Sequence, residues 1–570
     1  MKRDLSRLNA NKYDVLVVGA GIYGACAAWD AAQRGLSVAL LEAGDFSHAT
    51  SANSYKIVHG GIRYLQQADF ALVRASSQER NALLRIAPHL IHPLPIVIPT
   101  YGYGLKGKAI LRAGFLVYDL MTCDRNNGIA DRDRWIPNGR ALSRDHVLDL
   151  FPGLPTEKLT GGVIMCDAQM YNPPRLALSF IRSAVRAGAD AANYVRVINF
   201  LRDGRRVTGV EATDVLTGTN LCVRARVVLN TAGPWADNLL KEGVGLDLAG
   251  SRPSFSRDVG LVVKRKSSHE HGLATSARTK DATALIDRGE RHLFLLPWRD
   301  YTLVGVWHKR HTGNPDEFSV SAEEISDFID EVNSSYPTMR LTPDDVTAIN
   351  TGLILFGDEN QSTDEHKFAK RSSLIDHAGD HNLDGLITLI GVRATTARRM
   401  AAEATDLILT KLGKPAVKTR TDHTPIFGGD IPSVENLVRR AQEEAPLALP
   451  PEAVRSLIRN YGAEYPRVLQ YASANPELAQ LVAGSQVVVR AEIVHAVREE
   501  MAVHLEDVIL RRTDLGTAAA PKGESIDDCA RLMANELHWD AARTREEVEN
   551  AIHFFSHLGA KKNFRIAARP

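Results

Sequence analysis

The chain of 570 residues is long enough for two or three domains and a large core. Its 69 Lys and Arg stand against 68 Asp and Glu, and the formal net charge of +1 excludes a global attraction to nucleic acid or to an anionic membrane. A small anionic substrate therefore has to be met by local cations. Five scattered cysteines (Cys26, Cys123, Cys166, Cys222, Cys529), odd in number and without CxxC spacing, argue against a disulfide framework or a zinc site and fit a reducing cytoplasm; no metal is expected. The opening MKRDLSRLNANKYD lacks the apolar core of a signal peptide, and no apolar run reaches the roughly 18 residues of a membrane span.

The first organised stretch is Tyr13 to Glu42, YDVLVVGAGIYGACAAWDAAQRGLSVALLE. Tyr13 to Val18, apolar but for Asp14, reads as a buried parallel strand. Ala25 to Arg34 has helical composition and is ended by Gly35, and Ser37 to Leu41 is a second strand closed by Glu42. Between the first strand and the helix lies Gly19-Ala20-Gly21-Ile22-Tyr23-Gly24. Gly19 permits the tight turn, Gly21 has no side chain to keep a pyrophosphate from the backbone, and Gly24 lets the helix lie close on the sheet. The helix N-terminus offers unpaired N–H groups to the phosphates. Glu42, 18 residues after Gly24, is placed to take both ribose hydroxyls and repels a 2′-phosphate, which favours FAD or NAD over NADP. A lone GxGxxG is weak, but strand, glycines, helix, strand and acid together specify dinucleotide binding.

Asp45 to Ser54 is small and polar, which suits a loop around a phosphate or ribose, with Thr50, Ser51 and Ser54 as its cofactor-binding hydroxyls. In His59-Gly60-Gly61-Ile62-Arg63-Tyr64-Leu65, two glycines permit close backbone approach, and the residues after them supply a cation, a phenol and apolar anchors. The same pattern also serves as an ordinary turn opening a surface helix. Together with the dinucleotide motif, the stretch resembles the HGGLRYL signature of FAD-dependent glycerol-3-phosphate dehydrogenases, matched here by HGGIRYL.

The resemblance covers nearly the whole chain. Pro88-His89-Leu90 and the basic apolar stretch Ala109 to Met121 have counterparts in that family, and Asp167-Ala168-Gln169-Met170 with Pro174-Arg175-Leu176 takes the place of its DARL segment. Arg175-Leu176 opens a predicted helix to about Ala187, and alternating strands follow to Asn230. The last strand delivers Thr231-Ala232-Gly233-Pro234-Trp235, which resembles the ATG-like turn that faces the cofactor in this superfamily. Strands are expected at Val259 to Lys264, Arg291 to Leu296 and Tyr301 to Val306, with helices over Ala322 to Ser335 and after Thr342-Pro343. They read as an antiparallel sheet with one face toward a flavin. Leu386 to Ile390 is a short strand and Ala397 to Leu412 a helix. The turn between them, Gly391-Val392-Arg393-Ala394-Thr395-Thr396, resembles the family's GGKLTTYR in altered form. A helix N-terminus aimed from it at the flavin would stabilise the negative charge of reduction. Beyond Gly429 the composition shifts to amphipathic helices, and Ala491 to Thr513 resembles the family's C-terminal signature REEMAVxLEDVxxRRT, read as a structural or regulatory cap.

The expected fold class is α/β + α: a Rossmann-like FAD-binding domain, an antiparallel-sheet substrate domain and a C-terminal helical cap. The expected divisions are 1–90 for the FAD-binding βαβ unit and flavin loop, 91–191 for an insertion with linking helices, and 192–257 for the return to the FAD-binding sheet. Residues 258–356 form the substrate domain, 357–425 complete the FAD-binding domain, and 426–570 make the cap.

The chemistry implied by the resemblance is oxidation of a secondary alcohol, glycerol 3-phosphate or a related polyol phosphate, to the ketone. The flavin of FAD accepts hydride at N5 while a base removes the hydroxyl proton, and quinone takes the electrons. A peripheral contact with the inner face of the cytoplasmic membrane and a homodimer stay open. His59 and His308 are the candidate proton acceptors, because imidazole titrates near neutrality. His59 with Gly60 and Gly61 is equally a flavin contact. Arg63 and Tyr64 match residues that line the family's substrate pocket, and Arg393 stands for the lysine of GGK, as a substrate or a cofactor contact.

Other pocket positions depart from the family. The phosphate-binding arginine of SGVRPL aligns with Ile354 in Thr351-Gly352-Leu353-Ile354-Leu355-Phe356, GTTD with Gly305-Val306-Trp307-His308, and the histidine of GSH with Gly260 in Asp258-Val259-Gly260. Loss of one buried arginine–phosphate contact costs roughly 2–5 kcal/mol. Either Arg63 and Arg393, helped by His308 or Lys309, bind a phosphate, or the pocket takes a less charged hydroxy compound beside Trp307, Ile354 and Phe356. Two other classes remain: an amine or amino-acid oxidase, with Arg63 or Arg393 clamping a carboxylate, and a flavin-binding protein without catalysis.

Overall fold

The computed structural model describes residues 1–65, 67–102, 107–246, 255–264, 270–276, 292–311, 313–355, 372–444 and 449–559; Arg291 and Phe356 lie outside the described residues. The first of its two sheets is built on the opening unit. The strand Lys12–Val18 runs parallel between Val38–Leu41 and Asn220–Asn230, and the strand order is Ser373–Asp376, Leu386–Ile390, Asn220–Asn230, Lys12–Val18, Val38–Leu41, Asp190–Ala192. Val15, Leu16 and Val17 are fully buried because both faces of a parallel sheet are covered.

One face packs on the helices Ile22–Gln33, Pro173–Arg186 and Ala397–Leu412. The other packs on the hairpin Val195–Asp203 and Arg206–Asp214 and on the helix Ala236–Val244. Ile22–Gln33 is alanine-rich and buried nearly all round, as a helix pressed between a sheet and two helices has to be.

The second sheet runs in the order Val346–Leu355, Phe255–Val263, Tyr301–His311, His292–Trp298, Gly272–Ser276, Ile91–Tyr101, Leu159–Met170, Ile57–Val58. It is mostly antiparallel, and Gly272–Ser276 lies parallel to Ile91–Tyr101. Two expectations need correction. The stretch 91–191 is more than an insertion with linking helices, because Ile91–Tyr101 and Leu159–Met170 form the long ladder at the centre of this sheet. Pro93, Pro95 and Pro99 hide the strand pattern in the first of them. After Pro343 there is one short 3-10 turn and then the strand Val346–Leu355, where β-branched residues prevail over the helix-start signal of Thr342-Pro343.

The far face of this sheet is closed by the helix Ala322–Ser335, whose Phe328, Ile329 and Val332 meet Val259, Leu261 and Val304. A capping box fixes its start: Glu324 N–H donates to Ser321 Oγ at 3.1 Å and Ser321 N–H to Glu324 Oε2 at 2.9 Å.

The C-terminal helices have their own core. Ala491 to Thr513 is not one continuous helix. Arg490–Glu500 stops at Met501, whose φ is +56°, and a single wide turn covers Asp507–Arg512. The break is used for attachment. Glu500 accepts from Arg175 and Arg182, both at 2.6 Å, while Arg511 and Arg512 reach Asp45 at 2.5 and 2.7 Å. The cap signature is thus a charged latch onto the domain of the first sheet, and one jaw of it is the loop that follows Glu42.

Candidate active site

A continuous cavity of about 1930 Å³ runs between the two sheets, larger than the roughly 300–1,000 Å³ typical of a single-ligand pocket. It begins beside Glu42 and Tyr194, passes Gly19 and Gly21, and ends at the inner face of the second sheet.

The glycine loop is built for close approach. Gly19 has φ +95°, and a Cβ on Gly24 would lie 1.9 Å from the Gly19 carbonyl oxygen. Ala20 N–H donates to Glu42 Oε2 at 2.6 Å and Ile22 N–H to Ser51 Oγ at 2.9 Å, so Glu42 and Ser51 both lie at the turn. Thr231 Oγ1 donates to the Val18 and Gly19 carbonyls, both at 2.8 Å, and ties the TAGPW turn to the same loop. Gly233 (φ +58°) continues that turn, and Trp235 Nε1 donates to Asp316 Oδ1 at 2.7 Å. Thr50 Oγ1 donates to the Leu353 carbonyl at 3.2 Å and so joins the loop to the second sheet.

At the inner end, His59 N–H donates to Thr395 Oγ1 at 3.1 Å, which brings HGGIRYL against the GVRATT turn. Ala394 packs against the large core beside them, and Thr396 Oγ1 donates to the Arg393 carbonyl at 3.3 Å. Tyr23, which carried no role in the sequence reading, fastens this turn from below. Its phenol donates to the Arg393 carbonyl at 2.7 Å and accepts the N–H groups of Val392 and Arg393 at 3.2 Å. A Cβ on Gly391 would lie 1.9 Å from the Tyr23 ring, so only glycine fits there.

The Arg393 guanidinium lies over the Tyr64 ring at 5.1 Å. Burial pushes the Tyr64 phenol up, although Arg393 and Arg63 oppose it. Arg63 is exposed and lines the cavity.

The His59 ring rests on a buried acid. Nδ1 lies 3.4 Å from Asp167 Oδ2, while Gly60 N–H and Arg80 Nη1 donate to Asp167 Oδ1 at 2.7 and 2.8 Å. Burial alone would raise the Asp167 carboxyl; the His59 hydrogen bond and the Arg80 charge outweigh it and hold the group below its ordinary value. Tyr118 donates to the Gly60 carbonyl at 2.8 Å. The sequence reading noticed Asp167 only as part of a motif and missed Arg80, which lies in an unremarkable amphipathic helix.

One further correction concerns the second sheet. Trp307 packs edge-on against Phe328 at 5.2 Å and lines the cavity beside His308 and Ile354. Lys309 pairs with Glu324 at 2.7 Å and does not line the cavity, so it does not serve the pocket as expected. Alternation along a strand sends 307 and 309 to one face and 308 to the other. His308 Nδ1 meets Asp258 Oδ1 at 2.6 Å. The glycines of this face make room for Tyr55, since a Cβ on Gly305 would lie 2.6 Å from its ring. Lys56, also missed, is buried in the cavity wall over the Trp298 ring, and burial together with Arg299 brings its amine down to about 7. The C-terminal helix Ala541–Gly559 adds Asn550, His553 and Phe554 to the wall.

The residues fit an extended dinucleotide. Besides the glycine cradle, Ser47 Oγ, Ser54 Oγ and Asn350 Nδ2 are buried polar atoms at the cavity wall with no protein partner, as expected of groups that meet a polar cofactor and its substrate. Among the described residues, no cluster of His, Cys, Asp and Glu could hold a metal ion.

Comparison with known proteins agrees. The family described as "FAD dependent oxidoreductase" matches residues 14–399, and "C-terminal domain of alpha-glycerophosphate oxidase" matches 419–544. The glycerol-3-phosphate dehydrogenase of Synechocystis is 31% identical over 561 residues, covering 96% of this chain and 97% of that one. Glycerol-3-phosphate dehydrogenase 2 of Mycobacterium tuberculosis is 31% identical over 553 residues, covering 95% and 88%. In fold, the structure matches the glycerol-3-phosphate dehydrogenase from Bacillus halodurans complexed with FAD, with a TM-score of 0.74 over 99% of this chain and 98% of that one at 23% identity. The chain belongs to the glycerol-3-phosphate dehydrogenase family of FAD-dependent oxidoreductases.

Proposed function

We propose that the protein oxidises the secondary hydroxyl of a small polyol of the glycerol 3-phosphate kind to the ketone. The observation that carries this reading is the His59–Asp167–Arg80 assembly, which sets an imidazole on a buried carboxylate beside the GVRATT turn. Bound FAD supplies the hydride acceptor. His59 takes the hydroxyl proton, and Asp167 orients its ring and balances the charge it gains. Arg80 keeps Asp167 ionised, and Arg63 and Arg393 bring positive charge to the cavity wall. The relatives named above are dehydrogenases of glycerol 3-phosphate, which supports the substrate class. Anaerobic mixing with a panel of polyols and polyol phosphates, followed at the flavin absorbance band, tests the reading. Bleaching by an alcohol is the expected result, and bleaching only by amines or amino acids defeats it.

We further infer that quinone takes the electrons at a membrane surface. No helix among the described residues is long and apolar enough to cross a membrane. The helix Lys108–Met121, however, exposes Ile110, Leu116, Val117 and Leu120, and Phe70 is exposed on a neighbouring helix. An apolar face of this kind beside Lys108 and Arg112 suits an anionic lipid surface on the cytoplasmic side.

A further inference from the structure

The inner face of the second sheet carries three successive rows. Ile354 lies beside Ser256, Gly352 beside Asp258, and Asn350 beside Gly260; across the next strand, Asp258 faces His308. Asp258 Oδ1 accepts from Ser256 Oγ at 2.8 Å and meets His308 Nδ1 at 2.6 Å. Both donors converge on one oxygen and set the plane of the carboxylate. Asp258 lines the cavity, as does Asn350, whose Nδ2 is buried without a protein partner. The two stand on adjoining rows, a diagonal spacing that side chains of this size can bridge through a ligand.

The described cations of these strands point elsewhere. Arg257 and Lys309, next to Asp258 and His308 in sequence, turn to the other face and bond Glu324. Arg310, in the row of Ile354, is exposed and does not line the cavity. A phosphate placed against this face meets a carboxylate, with isoleucine where the family resemblance puts the phosphate-binding arginine.

We propose that Asp258 and Asn350, with Ser256 and His308 behind the carboxylate, form a subsite for the hydroxyl groups of an uncharged polyol end. The substrate turns a vicinal diol toward this face, one hydroxyl donating to Asp258 and a neighbouring oxygen accepting from Asn350. The proposal rests on the alcohol-oxidation reading and narrows its substrate class.

The test uses the full-length, FAD-loaded protein with free polyols of three to six carbons and with glycerol 3-phosphate. Flavin bleaching reports turnover, and the ligand-induced change in flavin absorbance reports binding without turnover. Wild type is expected to bind a free polyol at least about tenfold more tightly than glycerol 3-phosphate. Asp258→Asn weakens the polyol roughly 10- to 100-fold and leaves glycerol 3-phosphate no weaker. Asp258→Gly combined with Ile354→Arg reverses the preference. Tighter binding of glycerol 3-phosphate by wild type overturns the proposal, as does an equal loss for both ligands in an Asp258→Asn protein that keeps its FAD. Should that variant lose FAD, Asn350→Leu makes the same comparison. If dithionite bleaches the flavin and no alcohol does, alcohol oxidation is wrong. Polyol binding that still depends on Asp258 then preserves the subsite, and its absence removes both.

Discussion

The imidazole of His59 lies 3.4 Å from the carboxylate of Asp167, a residue 108 positions later in the chain. Strand pairing brings them together: Ile57 and Val58 run antiparallel to Gln169 and Ala168, so His59, just past its own strand, is next in register to Asp167 within Leu159–Met170. Asp167→Asn should slow substrate bleaching of the flavin about 10²-fold or more and leave reduction by dithionite unchanged, because the base loses its orienting charge and the acceptor does not. Stopped-flow absorbance with both reductants checks this, and an equal effect on both would show that the acid serves only the fold.

Tyr23 should matter for cofactor retention. Tyr23→Phe keeps the ring that packs on Gly391 and removes the phenol that holds the Val392 and Arg393 backbone. FAD should bind about tenfold more weakly, as measured by titrating the apoprotein and following flavin fluorescence.

The cap latch should fail in acid. Burial alone would raise the Glu500 carboxyl, but Arg175, His495 and Arg182 outweigh it and hold the group well below its ordinary 4.5. Its stabilising effect is therefore complete above about pH 4.5 and lost as pH falls through the folded-state value. Glu500→Gln should cost about 3–5 kcal/mol near neutrality. In urea titrations at a series of pH values, the gap to wild type should narrow below pH 4.5.

Lys56 gives the same sign of pH dependence in a higher window. Its amine falls from an ordinary 10.5 to about 7 in the fold, so between these values the unfolded chain holds more protons and stability rises with pH. Below pH 7 the penalty of the buried charge is fully present. Lys56→Met should therefore stabilise the protein at pH 6 by up to about 4 kcal/mol, with the advantage fading toward pH 10. Urea midpoints at the two ends of the range decide it, and a gap that does not change with pH would mean that Lys56 titrates as in water.

The exposed face of Lys108–Met121 should act only at a lipid surface. Leu116→Glu with Leu120→Glu should leave bleaching by substrate in solution intact and reduce co-sedimentation with anionic vesicles about tenfold. Unchanged sedimentation would remove this helix from any membrane contact.

The opening βαβ unit, the strand Leu386–Ile390 with its turn and following helix, and the helix Ala322–Ser335 were legible from the chain alone. Each is a local pattern of burial and punctuation completed within a few dozen residues. The Ile91–Tyr101 strand escaped because alternate prolines erase the pattern while the ladder to Leu159–Met170 supplies the partner. The continuation of the cap helix past Glu500 escaped because its end is set by a backbone reversal at Met501 and by Arg175 and Arg182, which come from another part of the chain.

The amino-acid order thus determined the glycine-rich turn of the βαβ unit and the turn over 391–396, since adjacent residues carry them. It could list His59, Arg63, Tyr64, His308 and Arg393 as chemically able, yet not say what each would meet. That Lys309 leaves the pocket and His308 stays, that Asp167 and Arg80 stand behind His59, and that Asp258 rather than a cation stands one row from Ile354 followed only from strand register and the packing of one sheet against the other. Period-two alternation separates two faces of a strand, and only burial against a distant helix determines which of them looks into the cavity.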